Sequence, residues 1–196
     1  MQPAQGGLQR LGSGLLSDAA LVWLGLLALL GLWMLGAYNR ITALRAAILV
    51  AWTQVESALN DRAQALSALL AAVAEHLASE TAAVDAVAAA QAQVVSATEA
   101  MRRRPVAQDN VADLSKADAV LAAVLVRLVA LVEQQAALKT DEAVMAPLAV
   151  LRDLPPRYVF ARQMFNDSGS AYNAATGQYP TRLLGSLFGF GQAGRL

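Results

Sequence analysis

Cysteine is absent from this chain, histidine occurs once, and aromatic residues make up only 6% of it. Without thiols there is no disulfide framework, no thiolate nucleophile and no cysteine-ligated zinc, and the redox compartment goes unmarked. One imidazole falls short of the three or four protein ligands that zinc takes. Charge is scarce too. Lys and Arg number 15, Asp and Glu 15, together 15% of the 196 residues, against roughly 25% in typical globular chains. With zero net charge and a sequence pI of about 6.6, no basic face is available for phosphate capture, so nucleic acid is not an expected partner. What the chain has in excess is apolar residues, 57% of the total with a mean hydropathy of +0.43. That is too apolar for an ordinary soluble domain, and part of the chain is expected in lipid.

Between Asp18 and Arg40 stand 21 uncharged residues, AALVWLGLLALLGLWMLGAYN. As a helix rising about 1.5 Å per residue this run covers roughly 30 Å, the thickness of bilayer hydrocarbon, and it predicts a transmembrane helix over 19–38. Trp23 at one boundary, and Trp33 and Tyr38 at the other, lie where amphipathic rings favour the headgroup level. A core helix fits less well, because a segment apolar on all sides needs a large protein around it. A cleaved signal peptide also fits less well, since its apolar region is typically about 7 to 15 residues. Residues 1–18, rich in Gly, Gln and Leu, read as a flexible leader. Flanking cations specify orientation weakly: Arg10 stands on one side, Arg40 and Arg45 on the other, which leans toward a cytoplasmic C-terminal domain.

Beyond the anchor, apolar residues recur in steps of three and four: Ile41, Leu44, Ile48, Trp52, Val55, Leu59, then Leu66, Leu70, Val73 and Leu77, with Ala63 in the gap. That period marks one face of a helix, and since no Pro or Gly interrupts 37–104, the anchor is expected to run straight into it. The pattern weakens over 76–80, where Ser79 with Glu80 or Thr81 suits a fresh start, giving a second helix over 79–101. Arg102-Arg103-Arg104-Pro105 closes that helix with cations at its carbonyl pole. Gln108-Asp109-Asn110 reads as a loop. A third stripe runs Val111, Leu114, Ala117, Leu121, Val124, Leu128 and Leu131, reaching Leu138. Thr140 or Asp141 suits a cap. Pro147 and Pro155-Pro156 predict a broken segment, with a last helix starting near Pro156 and carrying Tyr158, Ala161, Phe165 and Tyr172 on one face. No strand pattern competes, and 43 alanines supply the best helix former. The expected fold is all-α: a single N-terminal transmembrane helix, then an antiparallel up-and-down bundle of three to four long helices over 39–176, then an apolar, glycine-containing tail over 177–196.

Residues that carry chemistry are thinly spread. His76, near Glu75 and Glu80, is more economically a structural residue than a ligand, and no G-x-S-x-G elbow presents a nucleophile. No catalytic residue, metal or cofactor is expected. Arg102 to Arg104 are able to meet phosphates or lipid headgroups, but three cations at a helix end more often form a solvated terminus. Arg162, Asn166, Asp167, Tyr172 and Asn173 are predicted to form a structural polar network that fixes bundle register. Leu187, Phe188 and Phe190, in LLGSLFGF, are candidates for membrane or partner contact, with docking on the bundle as the simplest expectation.

The sequence Arg157-Tyr-Val-Phe-Ala-Arg-Gln-Met-Phe-Asn-Asp-Ser-Gly-Ser-Ala-Tyr-Asn173, then Tyr179-Pro180 and Leu187-Phe-Gly-Phe190, resembles the C-terminal signature of the LemA family, A-Y-A-R-x-x-Y-N-D, Y-N, F-P and a terminal G-F. Tyr38-Asn39-Arg40, Leu44, Ala51-Trp52-Thr53-Gln54-Val55 and Arg62 are similar to that family's opening N-R, A-W-x-Q-V and second R. The resemblance covers roughly 38–190. Glu75-His76 inverts the family's H-E order, and 61–69 lacks the Asp, Pro and Asn of its R-R-x-D-L-I-P-N-L. The resemblance implies a single-pass protein of the bacterial cytoplasmic membrane, or of a membrane derived from it. It also implies a helical bundle on the periplasmic or lumenal side, opposite to the lean of the flanking charges. Relatives include proteins that build magnetosome membranes. The function expected is a non-enzymatic scaffold that binds the bilayer and other envelope proteins. A lipid-binding or membrane-shaping module and an accessory subunit of a membrane enzyme are the alternatives, and homo-oligomerisation is left open.

Overall fold

The computed structural model describes residues 6–179, 181–182 and 191–196, with side chains from Ala20 onward. Its elements are four helices, α1 (Gly6–Val73), α2 (Thr81–Arg103), α3 (Gln108–Gln134) and α4 (Glu142–Gly177). No strand occurs among the described residues. Two compact units divide the chain, Met1–Thr42 and Ala43–Leu196.

In the first unit the helix begins at Gly6, inside the stretch whose composition predicts a flexible leader. Extending an existing helix needs no new nucleus, and Leu and Gln are good helix formers, so the four glycines Gly6, Gly7, Gly12 and Gly14 do not stop it. From Ala20 the helix is long and apolar enough to cross a membrane; its most apolar window has a mean hydropathy of 2.2 and is 0% buried. Leu21, Trp23 and Leu32 are each more than two-thirds exposed, at 68%, 67% and 69%.

In the second unit, the seam of α1 buries Ile48, Trp52, Val55, Leu59, Leu66, Leu69 and Val73; of the predicted stripe, Leu44 and Ala63 are only half-buried, and Leu69 takes the inner position expected of Leu70. Residues 74–79 form a turn in which buried Leu77 donates its amide to the Val73 carbonyl, 2.9 Å. Helix α2 then contributes Ala83, Val87, Ala90, Val94 and Met101. Asn110 brings a correction: Gln108-Asp109-Asn110 is not a loop but the first turn of α3. Its Nδ2 donates to the carbonyls of Ala100 (2.9 Å) and Arg104 (3.1 Å), so the side chain ties down the end of α2 instead of breaking the chain.

The broken segment is also corrected. Helix α4 runs through Pro147, Pro155 and Pro156 without interruption, capped by Asp141, whose carboxylate accepts from the Ala143 amide at 2.9 Å. Each proline removes one helical donor and crowds the carbonyl four residues back. Burial on both sides outweighs this, with Leu148, Leu151 and Leu154 before the pair and Ala161 and Phe165 after it. Cross-helix contacts fix the up-down-up-down order. Glu56 on α1 meets Arg102 near the end of α2. Glu133 near the end of α3 meets Arg152 early in α4, 2.8 Å. Phe165, late in α4, returns to Trp52 on α1 with ring centroids 6.3 Å apart.

Candidate functional site

Asn166 and Asn173 stand seven residues apart on α4, about two helical turns or 10.5 Å, and therefore share a face. Across that face lies segment 191–196, which forms no regular secondary structure. Asn173 Nδ2 donates to the Ala193 carbonyl (3.0 Å), and its Oδ1 accepts from the Ala193 amide (2.7 Å). Asn166 makes the same two bonds with Leu196, both 2.9 Å. Three residues of extended chain cover about 10 Å, so the two spacings agree. Each asparagine thus imitates the paired donor and acceptor of a neighbouring strand. Ala193 and Leu196 are buried, and the Gly194 amide donates to the Val106 carbonyl at 3.3 Å. Glycine is required at 194, because a Cβ there would lie 2.7 Å from Val111 Cβ and 3.0 Å from Gln108 Cα.

Of the five residues predicted to form one network, the structure brings Asn166 and Asn173 to this clasp. Tyr172 is buried in the core, Asp167 is exposed, and Arg162 lies elsewhere. Leu187, Phe188 and Phe190 fall outside the described residues. His76 is exposed in the turn after α1, its carbonyl accepting from Gln135 Nε2 at 3.4 Å. Arg102 is paired with Glu56 and Glu99, while Arg104 stands 4.0 Å from Asp109.

Arg162 belongs to a second site. Helices α1, α3 and α4 diverge around a trough of about 560 Å³ whose walls are largely apolar, including Leu121, Leu125, Val126, Leu154 and Pro155. Its polar end is built from Arg62, Asp118, Tyr158 and Arg162. Arg62 Nη2 lies 2.6 Å from Asp118 Oδ1, with side chains only 15% and 14% exposed. They meet as an ion pair without hydrogen-bond alignment, and the buried Arg62 Nε has no hydrogen-bond partner either. The Tyr158 ring sits between two guanidiniums, 5.3 Å from Arg62 and 5.7 Å from Arg162. Burial first, and then the Asp118 carboxylate, push the Tyr158 hydroxyl above its ordinary value, and the two arginines oppose this less strongly. Sequence reasoning missed Asp118. The signal was a carboxylate placed between Ala117 and Leu121 on the seam of α3, where water alone would not hold it.

Fold and sites together define a four-helix protein with an N-terminal helix compatible with a single membrane span, a bundle closed by its own terminal segment, and an apolar trough ending in buried charge. The family model for the LemA family matches residues 51–195, and the chain belongs to that family. The match takes in both the trough residues and most of the clasp. No curated protein matches the chain.

Proposed function

We propose that this protein is a membrane-anchored scaffold of the bacterial envelope, whose bundle binds other envelope proteins through its surfaces without catalysing a reaction. The observation that carries the reading is the uncovered apolar helix from Ala20 to Leu35 on the same chain as a packed bundle. Bilayer hydrocarbon is the surrounding that such a surface favours. Val159 and Phe160, 60% and 64% exposed on α4, supply an apolar patch of the kind protein partners cover. The polar inventory supports a non-enzymatic role, since the clasp amides are spent on backbone and Asp118 is spent on Arg62. On this reading the bundle lies on the outer side of the cytoplasmic membrane, the side that the family resemblance implies.

Two measurements on cells making the full chain test it. Alkaline carbonate extraction should leave the protein in the membrane pellet. A photo-crosslinking amino acid at Phe160 should capture discrete protein neighbours. Full-length protein in the carbonate supernatant would end the anchor, and lipid adducts alone at Phe160 would end the scaffold.

A further inference from the structure

The trough between α3 and α4 leaves both space and charge uncommitted. Its volume, about 560 Å³, falls in the range of small-molecule sites. Along α3 its lining runs from Asp118 to Glu133, about 22 Å of helix, which is the reach of one long acyl chain. Val126 is 72% exposed at its mouth, so the trough opens sideways. Polar groups occur only at the ends. At one, Asp118 neutralises Arg62, while Arg162 is in ion-pair contact with no carboxylate among the described residues and rests 5.7 Å from the Tyr158 ring. At the other, Glu133 is already held by Arg152 at 2.8 Å.

We propose that this trough binds a single-chain amphiphile with an anionic head, its acyl chain lying along α3 and its head paired with Arg162. A guanidinium offers two parallel donors to a carboxylate or phosphate, and that pairing gains strength beside apolar walls. At the opposite end Glu133 and Arg152 already neutralise each other, so Arg162 is the cation left to an anionic head, and this fixes the direction. A purely apolar occupant, such as a helix of a second copy, would leave Arg162 facing hydrocarbon without a counter-charge. The inference does not depend on the scaffold reading, because it rests on residues of the bundle alone.

The test uses the full chain in phosphatidylcholine nanodiscs and three diazirine probes: palmitate, palmitoyl lysophosphatidylglycerol and hexadecanol. Irradiation followed by peptide mapping should place adducts of one or both anionic probes between Leu121 and Ala130. Which of them labels tells a free fatty acid from a lysophospholipid. Arg162→Gln should lower anionic capture about tenfold, the worth of one charge-assisted bond. Ala122→Trp, at an exposed position on the trough wall, should abolish capture while the helical circular dichroism and melting temperature stay unchanged. The proposal is overturned if adducts are confined to 20–38, or if hexadecanol labels as well as the acids. It is equally overturned if Ala122→Trp changes the oligomeric state where no adduct forms, since the trough is then a protein contact.

Discussion

The clasp and the trough both use polar side chains against apolar surroundings, and they treat them in opposite ways. At the clasp, Asn166 and Asn173 each donate one bond and accept one, and their partners are backbone groups that would otherwise be buried unpaired. At the trough, Arg62 Nε makes no bond and the contact of Arg62 with Asp118 is charge without alignment. A buried polar group left unsatisfied costs more than a satisfied one returns. The clasp is therefore a site at rest, stabilising the fold by closing it. The trough keeps a cost in place, as sites that receive a ligand do.

The sharpest way to break this contrast is at Asp118. Asp118→Ala strands Arg62 among apolar walls, and full chain in detergent should lose about 3 kcal/mol in urea unfolding, the low end for a pair that is slightly exposed. The double variant Arg62→Leu with Asp118→Leu should regain most of that loss. If the single variant is neutral, the pair is wet and the contrast fails. At the clasp the largest effect belongs to Gly194→Val, since Val111 lies where the new side chain begins. A loss of about 2 kcal/mol is expected, with faster amide exchange at Ala193 and Leu196. Asn173→Ala removes two bonds in a half-buried setting and should cost about 1–2 kcal/mol, again seen at the Ala193 amide. Exchange rates left unchanged in both variants would mean the segment is held by other contacts.

Most of the bundle was legible in the sequence because its signal is local. Trp52, Val55 and Leu59 on α1, and Leu114, Leu121 and Leu128 on α3, obey a period that any buried helix face must show. The misreadings arose where packing overrode local propensity. Pro155-Pro156 is a strong breaker read alone, and it is carried by burial on either side that the pair itself does not encode. Asn110 looks like a loop residue because its partners, the Ala100 and Arg104 carbonyls, belong to the end of α2 and the residue just beyond it. The clasp was half visible: Asn166 and Asn173 stood out as polar groups among aromatics, but a segment supplied from twenty or more residues further along leaves no periodic mark. The trough was legible least, since Arg62 and Asp118 are 56 positions apart and only the return of α3 alongside α1 brings them together.

The smallest expected effect probes how dry the trough end is. Burial holds the Tyr158 hydroxyl protonated more firmly than an unfolded tyrosine, against two nearby cations that pull the other way. A group whose folded value is raised contributes stability that is complete below the unfolded value, about 10, and fades as pH climbs above it. Melting temperature should therefore fall between about pH 10 and 11 more steeply in the parent chain than in Tyr158→Phe. A shallow slope remains from Tyr172, which burial shifts in the same direction. If the two chains lose stability in parallel, the ring is hydrated and Arg62 and Arg162 outweigh desolvation. Arg162 would then be a solvated cation with no need of an anionic partner, and the trough would resemble the clasp: a surface feature whose polar groups already have what they require.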